Sequence, residues 1–175
     1  MMAPPFAAPL GLPSNGVPFV LELSSMTSEQ QNPTPYDQSV TLLARKALSS
    51  LELSEKLENT GFSPEAIEGV LQTLQVQGYL NDEALASKIY EDAVRRQKGP
   101  LWLVQKLEKR RLSPPIIEHY AALGQEHALE HALKLLTKRF APSDFPQQAG
   151  RAFRLLLSRG YPASVVEAAL EEILP

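Results

Sequence analysis

The chain has 175 residues, with Lys+Arg 17 against Asp+Glu 20, so its net charge of −3 excludes a globally basic nucleic-acid binder and leaves room for a local basic face. Cys 0 excludes disulfides, thiolate zinc sites, iron–sulfur clusters and a cysteine nucleophile. Hydrophobic residues at 43% suffice for a core, and Gly 9 is too few for a turn-rich sandwich or propeller.

The chain opens on a proline-rich segment. Of Pro 15, seven lie before residue 36: Pro4, Pro5, Pro9, Pro13, Pro18, Pro33 and Pro35. Proline fixes φ and removes a donor, so residues 1–35 cannot form a continuous helix or a central strand. A flexible tail is expected there, although Val17 to Leu23 is apolar enough to pack on the body or on a partner. The first basic residue is Arg45, so the segment lacks the positive start of a secretory signal. No run approaches the roughly 18 apolar residues of a membrane span. A cytoplasmic protein is the expectation.

From Asp37 onward the apolar spacing is helical, as in Ile67, Val70, Leu71 and Leu74 at i, i+3, i+4, i+7. The spacing and punctuation predict helices over 37–48, 51–60, 64–77, 82–98, 101–110, 114–122, 125–140, 144–158 and 163–174. Ser63-Pro64 and Ser113-Pro114 read as N-caps followed by proline at the first helical position. Gly61, Gly78, Gly99, Gly124 and Gly160 follow periodic runs, where a left-handed cap is cheapest for glycine.

The helices repeat. Leu57 to Glu68, Leu107 to Glu118 and Leu156 to Glu167 align: an apolar helix end, a turn, an apolar residue, then a new helix with Ile or Val before Glu. The fold expected is all-α, three tandem three-helix repeats in an elongated, curved array, with repeat 1 over 36–80, repeat 2 over 81–123 and repeat 3 over 124–175. Each unit is too small to be strongly stable alone, so neighbours must stack.

Charge is unevenly shared. Residues 36–87 carry a net charge of −5, residues 88–111 carry +5 and residues 134–159 carry +5. Lys88, Arg95, Arg96, Lys98, Lys106, Lys109, Arg110 and Arg111 make the first basic section; Arg151, Arg154 and Arg159 belong to the second. Lys106, Lys109 and Arg110 are expected to share one exposed helix face. Such clusters neutralise phosphates, meet acidic protein surface, or remain a solvated face. Trp102 lies within the first cluster and is read as core.

Enzymatic chemistry finds no support. No Gly-x-x-x-x-Gly-Lys phosphate loop and no Gly-x-Ser-x-Gly elbow occur. His127 and His131 stand at i, i+4, but the order is His127-Ala128-Leu129-Glu130-His131 and not the His-Glu-x-x-His of a zinc-protease helix, so they read as a solvated face. No catalytic residue, metal or cofactor is expected.

Gly78-Tyr79-Leu80-Asn81-Asp82-Glu83, Ala86, Lys98-Gly99-Pro100 and Leu107 resemble the signature of the RecX family of bacterial recombination regulators. Gly61 to Leu71 and Arg154 to Val166 are similar to that family's first and third repeats. The resemblance covers about residues 37–175. It implies tandem three-helix repeats and a regulator that binds the RecA recombinase, chiefly as a filament on DNA. Such a regulator modulates RecA, usually by inhibition, in DNA repair and recombination. It implies no catalytic residue and no cofactor. The eleven basic residues named above become candidate RecA or DNA contacts, with weak direct DNA binding allowed, no membrane partner, and a monomer. A helix-turn-helix DNA-binding regulator and a general helical-repeat adaptor remain as alternatives; against the former, none of 64–77, 114–122 and 163–174 is basic.

Overall fold

The computed structural model describes residues 33–141 and 145–173. Among these, the regular structure is helical: α1 (Pro35–Arg45), α2 (Ser50–Glu58), α3 (Pro64–Val76), α4 (Asp82–Arg95), α5 (Pro100–Lys109), α6 (Pro114–Glu126), α7 (Ala128–Arg139), α8 (Phe145–Ser158) and α9 (Ala163–Ile173). The expected all-α class is thus the observed one. Up to Asn32, the expected tail lies outside the described residues.

Side-chain caps set the first four helix starts, whereas Ser113, the expected cap of α6, stands at its N-cap without a side-chain hydrogen bond. Thr34 caps α1 in a reciprocal box with Asp37, and Ser49 caps α2 in the same way with Glu52. The Ser63 side chain accepts from Ala66 N–H, and that of Asn81 from Ala84 N–H. Helix α1 begins and ends earlier than expected. Pro35 is its first residue rather than the end of the tail, and the chain is already extended at Lys46. The reason is packing: Leu48 must reach the core, where it is 5% exposed, before α2 begins.

The buried side chains fall into three clusters drawn from consecutive helices, α1 adding only the half-buried Tyr36, Leu42 and Leu43 to the first. Leu53, Leu57, Ile67 and Leu74 of α2 and α3 join Leu48 and Leu80 in the first. Leu85, Ile89, Leu103 and Leu107 of α4 and α5 join Leu112 and Tyr120 in the second. Leu135, Leu136, Leu156 and Val166 of α7 to α9 join Tyr161 in the third. Fully burying one such leucine is worth about 1.5–3 kcal/mol. Helix α9 packs on both α7 and α8, and α6 packs on α7 across the boundary between the second and third clusters.

Three turns share one geometry. Gly61, Arg111 and Gly160 all adopt left-handed backbone, with φ of 91°, 51° and 85°. In each, the left-handed residue donates to the carbonyl three residues back, and the next residue reaches Leu57, Leu107 or Leu156. Arg111 therefore makes without glycine the same turn as the other two.

Two glycines read as helix caps have a different role. Gly99 has φ −80° and starts α5; the left-handed residue there is Gln97, at φ 54°. A Cβ on Gly99 would stand 2.3 Å from the Gly160 carbonyl oxygen, so glycine is required by close backbone approach. Gly124 does not end a helix: α6 runs through it to Glu126. It is buried, and a Cβ would stand 2.9 Å from Leu103 Cδ2, so it lets α6 lie close on α5.

Successive clusters are joined by the turn of the later one docking on the second helix of the earlier one. At the first junction Arg110 donates to both Glu52 carboxylate oxygens at 2.9 Å and to the Ala47 carbonyl at 2.6 Å. At the second, Gly99 N–H donates to the Arg159 carbonyl at 2.9 Å and Leu101 N–H to the Gly160 carbonyl at 3.0 Å. Arg159 there donates to the Arg96 carbonyl at 2.8 Å.

Candidate functional site

The first junction shapes a groove of about 400 Å3 between the α1–α2 link, α4 and α5. Its floor is apolar, from Leu85 and Ile89, each 7% exposed, and the half-buried Trp102. Its rim is cationic: Lys46, Lys88, Arg95 and Lys106. Glu91 and Asp92 are the acids that line it. Asp92 accepts from both Arg95 and Arg96, with Arg96 Nε at 3.0 Å, so its charge is already engaged.

Trp102 organises the site. Its ring has Lys98 Nζ at 5.7 Å and Lys106 Nζ at 5.9 Å from the centroid, both within cation–π range. From behind, the Gly160 turn presses on its backbone: a Cβ on Gly160 would stand 2.8 Å from Trp102 N. The tryptophan packs against the second core, as its apolar neighbours suggested, and it also lines the groove. A flat aromatic among flexible ammonium groups suits a ligand that offers carboxylate or phosphate oxygens beside an apolar surface.

The other candidate residues are placed unequally. Arg110 lines the groove, but its side chain is 14% exposed and its guanidinium is taken up by Glu52 and Ala47. It leaves the exposed face shared by Lys106 and Lys109, because α5 ends at Lys109 and the chain turns there. Burial alone would raise the Glu52 carboxyl. The Arg110 hydrogen bonds, the Ser49 N–H, and the charges of Arg110 and Lys46 outweigh that and hold it below the usual carboxylate range.

Lys109 and Arg111 line a neighbouring hollow with Lys56 and the acids Glu52 and Glu55, and Arg111 pairs with Glu55 at 3.2 Å. Arg96 and Arg159 meet at the second junction, away from the groove floor. Arg151 and Arg154 are exposed on α8 and line no part of the groove.

Lys46 escaped the sequence reading, because it is a lone base beside an acidic section; only folding sets it opposite Lys106. Among the described residues, no three His, Asp or Glu side chains gather as a metal site, and no helix is long and apolar enough to cross a membrane.

No protein-family model matches the chain. Named relatives do. The chain is 26% identical over 140 residues to the regulatory protein RecX of Legionella pneumophila (strain Corby), covering 79% of this chain and 93% of that protein. It is 29% identical over 136 residues to the regulatory protein RecX of Halorhodospira halophila, covering 76% of this chain and 84% of that one. A crystal structure of RecX from Lactobacillus salivarius has the same fold, with TM-score 0.65 at 18% identity over 79% of this chain and 94% of that chain. The regulatory protein RecX of Deinococcus radiodurans is 33% identical over 149 residues, 84% of this chain and 72% of that protein. At that identity and coverage, with the fold in agreement, the chain belongs to the RecX family of regulatory proteins.

Proposed function

We propose that this protein binds the RecA recombinase, chiefly as its filament on DNA, and restrains its ATP hydrolysis and strand exchange. The observation that carries the reading is the Trp102 groove, whose apolar floor and cationic rim join the first and second helix triplets. That is a surface for binding and contains no nucleophile poised beside a base. The family membership names the regulatory role, and the resemblance of the signature residues names RecA.

Three units of the same build, bounded near 80–81 and 123–124, offer related surfaces at a spacing set by the junctions. A filament offers identical subunits at a fixed spacing. Contacts to successive subunits add up, since each later contact is intramolecular. The work is regulatory and non-catalytic, in the cytoplasm where recombination filaments form, and a monomer suffices for it.

The test is co-sedimentation with RecA assembled on single-stranded DNA, with the DNA alone as control. Retention by the filament and not by bare DNA supports the reading. Equal retention by bare DNA moves the function to the DNA-binding alternative, and no retention by either overturns both.

A further inference from the structure

A second cleft lies on the other side of the α4 terminus and shares only Arg95 with the groove around Trp102. Val94, Arg95 and Gln97 at the end of α4 face His131, Lys134 and Lys138 of α7 across about 300 Å3. The three α7 residues stand at i, i+3 and i+7, one stripe of a helix. Among the described residues, no carboxylate lines the cleft. Among the described residues, neither Lys134 nor Lys138 has an acidic partner within ion-pair distance, although Arg95 and Arg96 at the end of α4 both do.

The two unpaired lysines, with Arg95 beside them already holding Asp92, repel one another, and a bound anion removes that repulsion. Among the described residues, Val94 is the only apolar one lining the cleft, and it offers no groove for an amphipathic helix and no sheet edge for a strand. The donors are of several shapes: an ammonium pair, a guanidinium fork and a neutral amide. They suit a compact anion with oxygens pointing several ways better than a peptide carboxylate.

We propose that this cleft binds the phosphate groups of a polyanion through Arg95, Gln97, Lys134 and Lys138, with His131 as a further donor when protonated. The proposal does not rest on the RecA reading. A phosphodiester chain and a free polyphosphate share this chemistry.

The histidine makes the site respond to pH. Burial holds His131 below its usual value; Glu130 partly offsets this, and His127 and Lys134 add to it. Around it also lie Tyr90 and Arg95 of α4, Lys98 of the α4–α5 link and Tyr161 of the α8–α9 turn. The imidazole is therefore mainly neutral near pH 7 in the free protein. An anion beside it raises its pKa, so binding takes up a proton and tightens as pH falls through the pKa of the bound imidazole. The gain levels off once the free imidazole is itself protonated.

The test uses the full chain with two probes, inorganic tripolyphosphate and a fluorescent oligothymidylate, and polyglutamate of matched charge as control. Affinities are measured at pH 7.5 and pH 5.5 in low salt. The expected result is binding of at least one phosphate probe, weakened about tenfold or more in Lys134→Glu/Lys138→Glu. Both lysines are exposed, so the variant should keep its helical circular dichroism. Competition between the probes shows that a chain and a free polyphosphate share the site; binding of one alone identifies the source.

His131→Gln should bind as wild type at pH 7.5 and lose the gain at pH 5.5. As His131 is half-buried, its imidazole resonances in the wild-type chain give a second reading, with a pKa that rises on adding the probe. Failure of both phosphate probes, an unchanged double variant, equal binding of polyglutamate, or an unmoved His131 pKa would each overturn the proposal. A filament assay that fails while these succeed sinks the RecA reading alone.

Discussion

Arg110 and Arg159 do the same work at two different junctions. Each follows the last turn of a helix, and each donates to a backbone carbonyl 63 residues earlier, of Ala47 and of Arg96 respectively. The residue that aligns with them in the first turn is Thr60, which bonds only within its own turn, to Lys56 and Leu57. Among the described residues the first turn docks on no earlier helix pair, and it lacks the arginine.

The two junctions differ in what holds them. The first is carried by the Arg110 side chain and its ion pair with Glu52; the second adds to the Arg159 side-chain bond two backbone hydrogen bonds and close backbone packing. If so, glycine matters far more at residue 160 than at residue 61, although both have positive φ. Gly61→Ala meets open space and should cost only the left-handed strain, about 1–2 kcal/mol. Gly160→Ala drives a Cβ to 2.8 Å from Trp102 N and should cost roughly 1–3 kcal/mol more. Urea midpoints of the two variants check this. Arg111→Gly, which relieves the same strain, should gain about 1 kcal/mol.

Breaking the first junction from either side should be costly. Arg110→Ala leaves the Glu52 carboxylate, 16% exposed, without its main partner. A loss of about 1–3 kcal/mol is expected from either Arg110→Ala or Glu52→Ala. The double variant should lose clearly less than the sum, which a double-mutant cycle in urea reads directly.

The same pair gives an acid response. The folded pKa of Glu52 lies below its ordinary 4.5, so its stabilisation is fully present above that value. It is lost as pH falls through the folded pKa, where the carboxyl takes up a proton. Wild type should lose stability over this range by more than Arg110→Met does. Equal acid slopes in urea titrations would show that the pair contributes no pH dependence.

The groove is tested by charge reversal at its rim. Lys88→Glu/Lys106→Glu leaves the Arg110 clamp intact, and both lysines are exposed. Inhibition of RecA-driven ATP hydrolysis should weaken by roughly tenfold, with a flatter dependence on salt. Unchanged circular dichroism and thermal midpoint should accompany it. Inhibition equal to wild type at two salt concentrations would remove this surface from the contact.

Most of the helical plan was legible in the sequence, because its determinants are local. Ser63 before Pro64 and Asn81 before Asp82 carry their cap chemistry on the residue itself, and the spacing of Ile67, Leu71 and Leu74 reports one face of one helix. What the tertiary structure decided involves partners far apart in the chain. Gly99 and Gly124 look like helix caps in sequence, yet one is required by the Gly160 carbonyl and the other by Leu103. Arg110 looks like one more base in a run, and Glu52, 58 residues away, withdraws it from the surface. Lys46 enters the groove and Lys134 the cleft through the packing of separate helices. Short-range bonds can be read from neighbouring letters. Which charge is exposed, and what stands opposite it, depends on packing between helices, which no local pattern encodes.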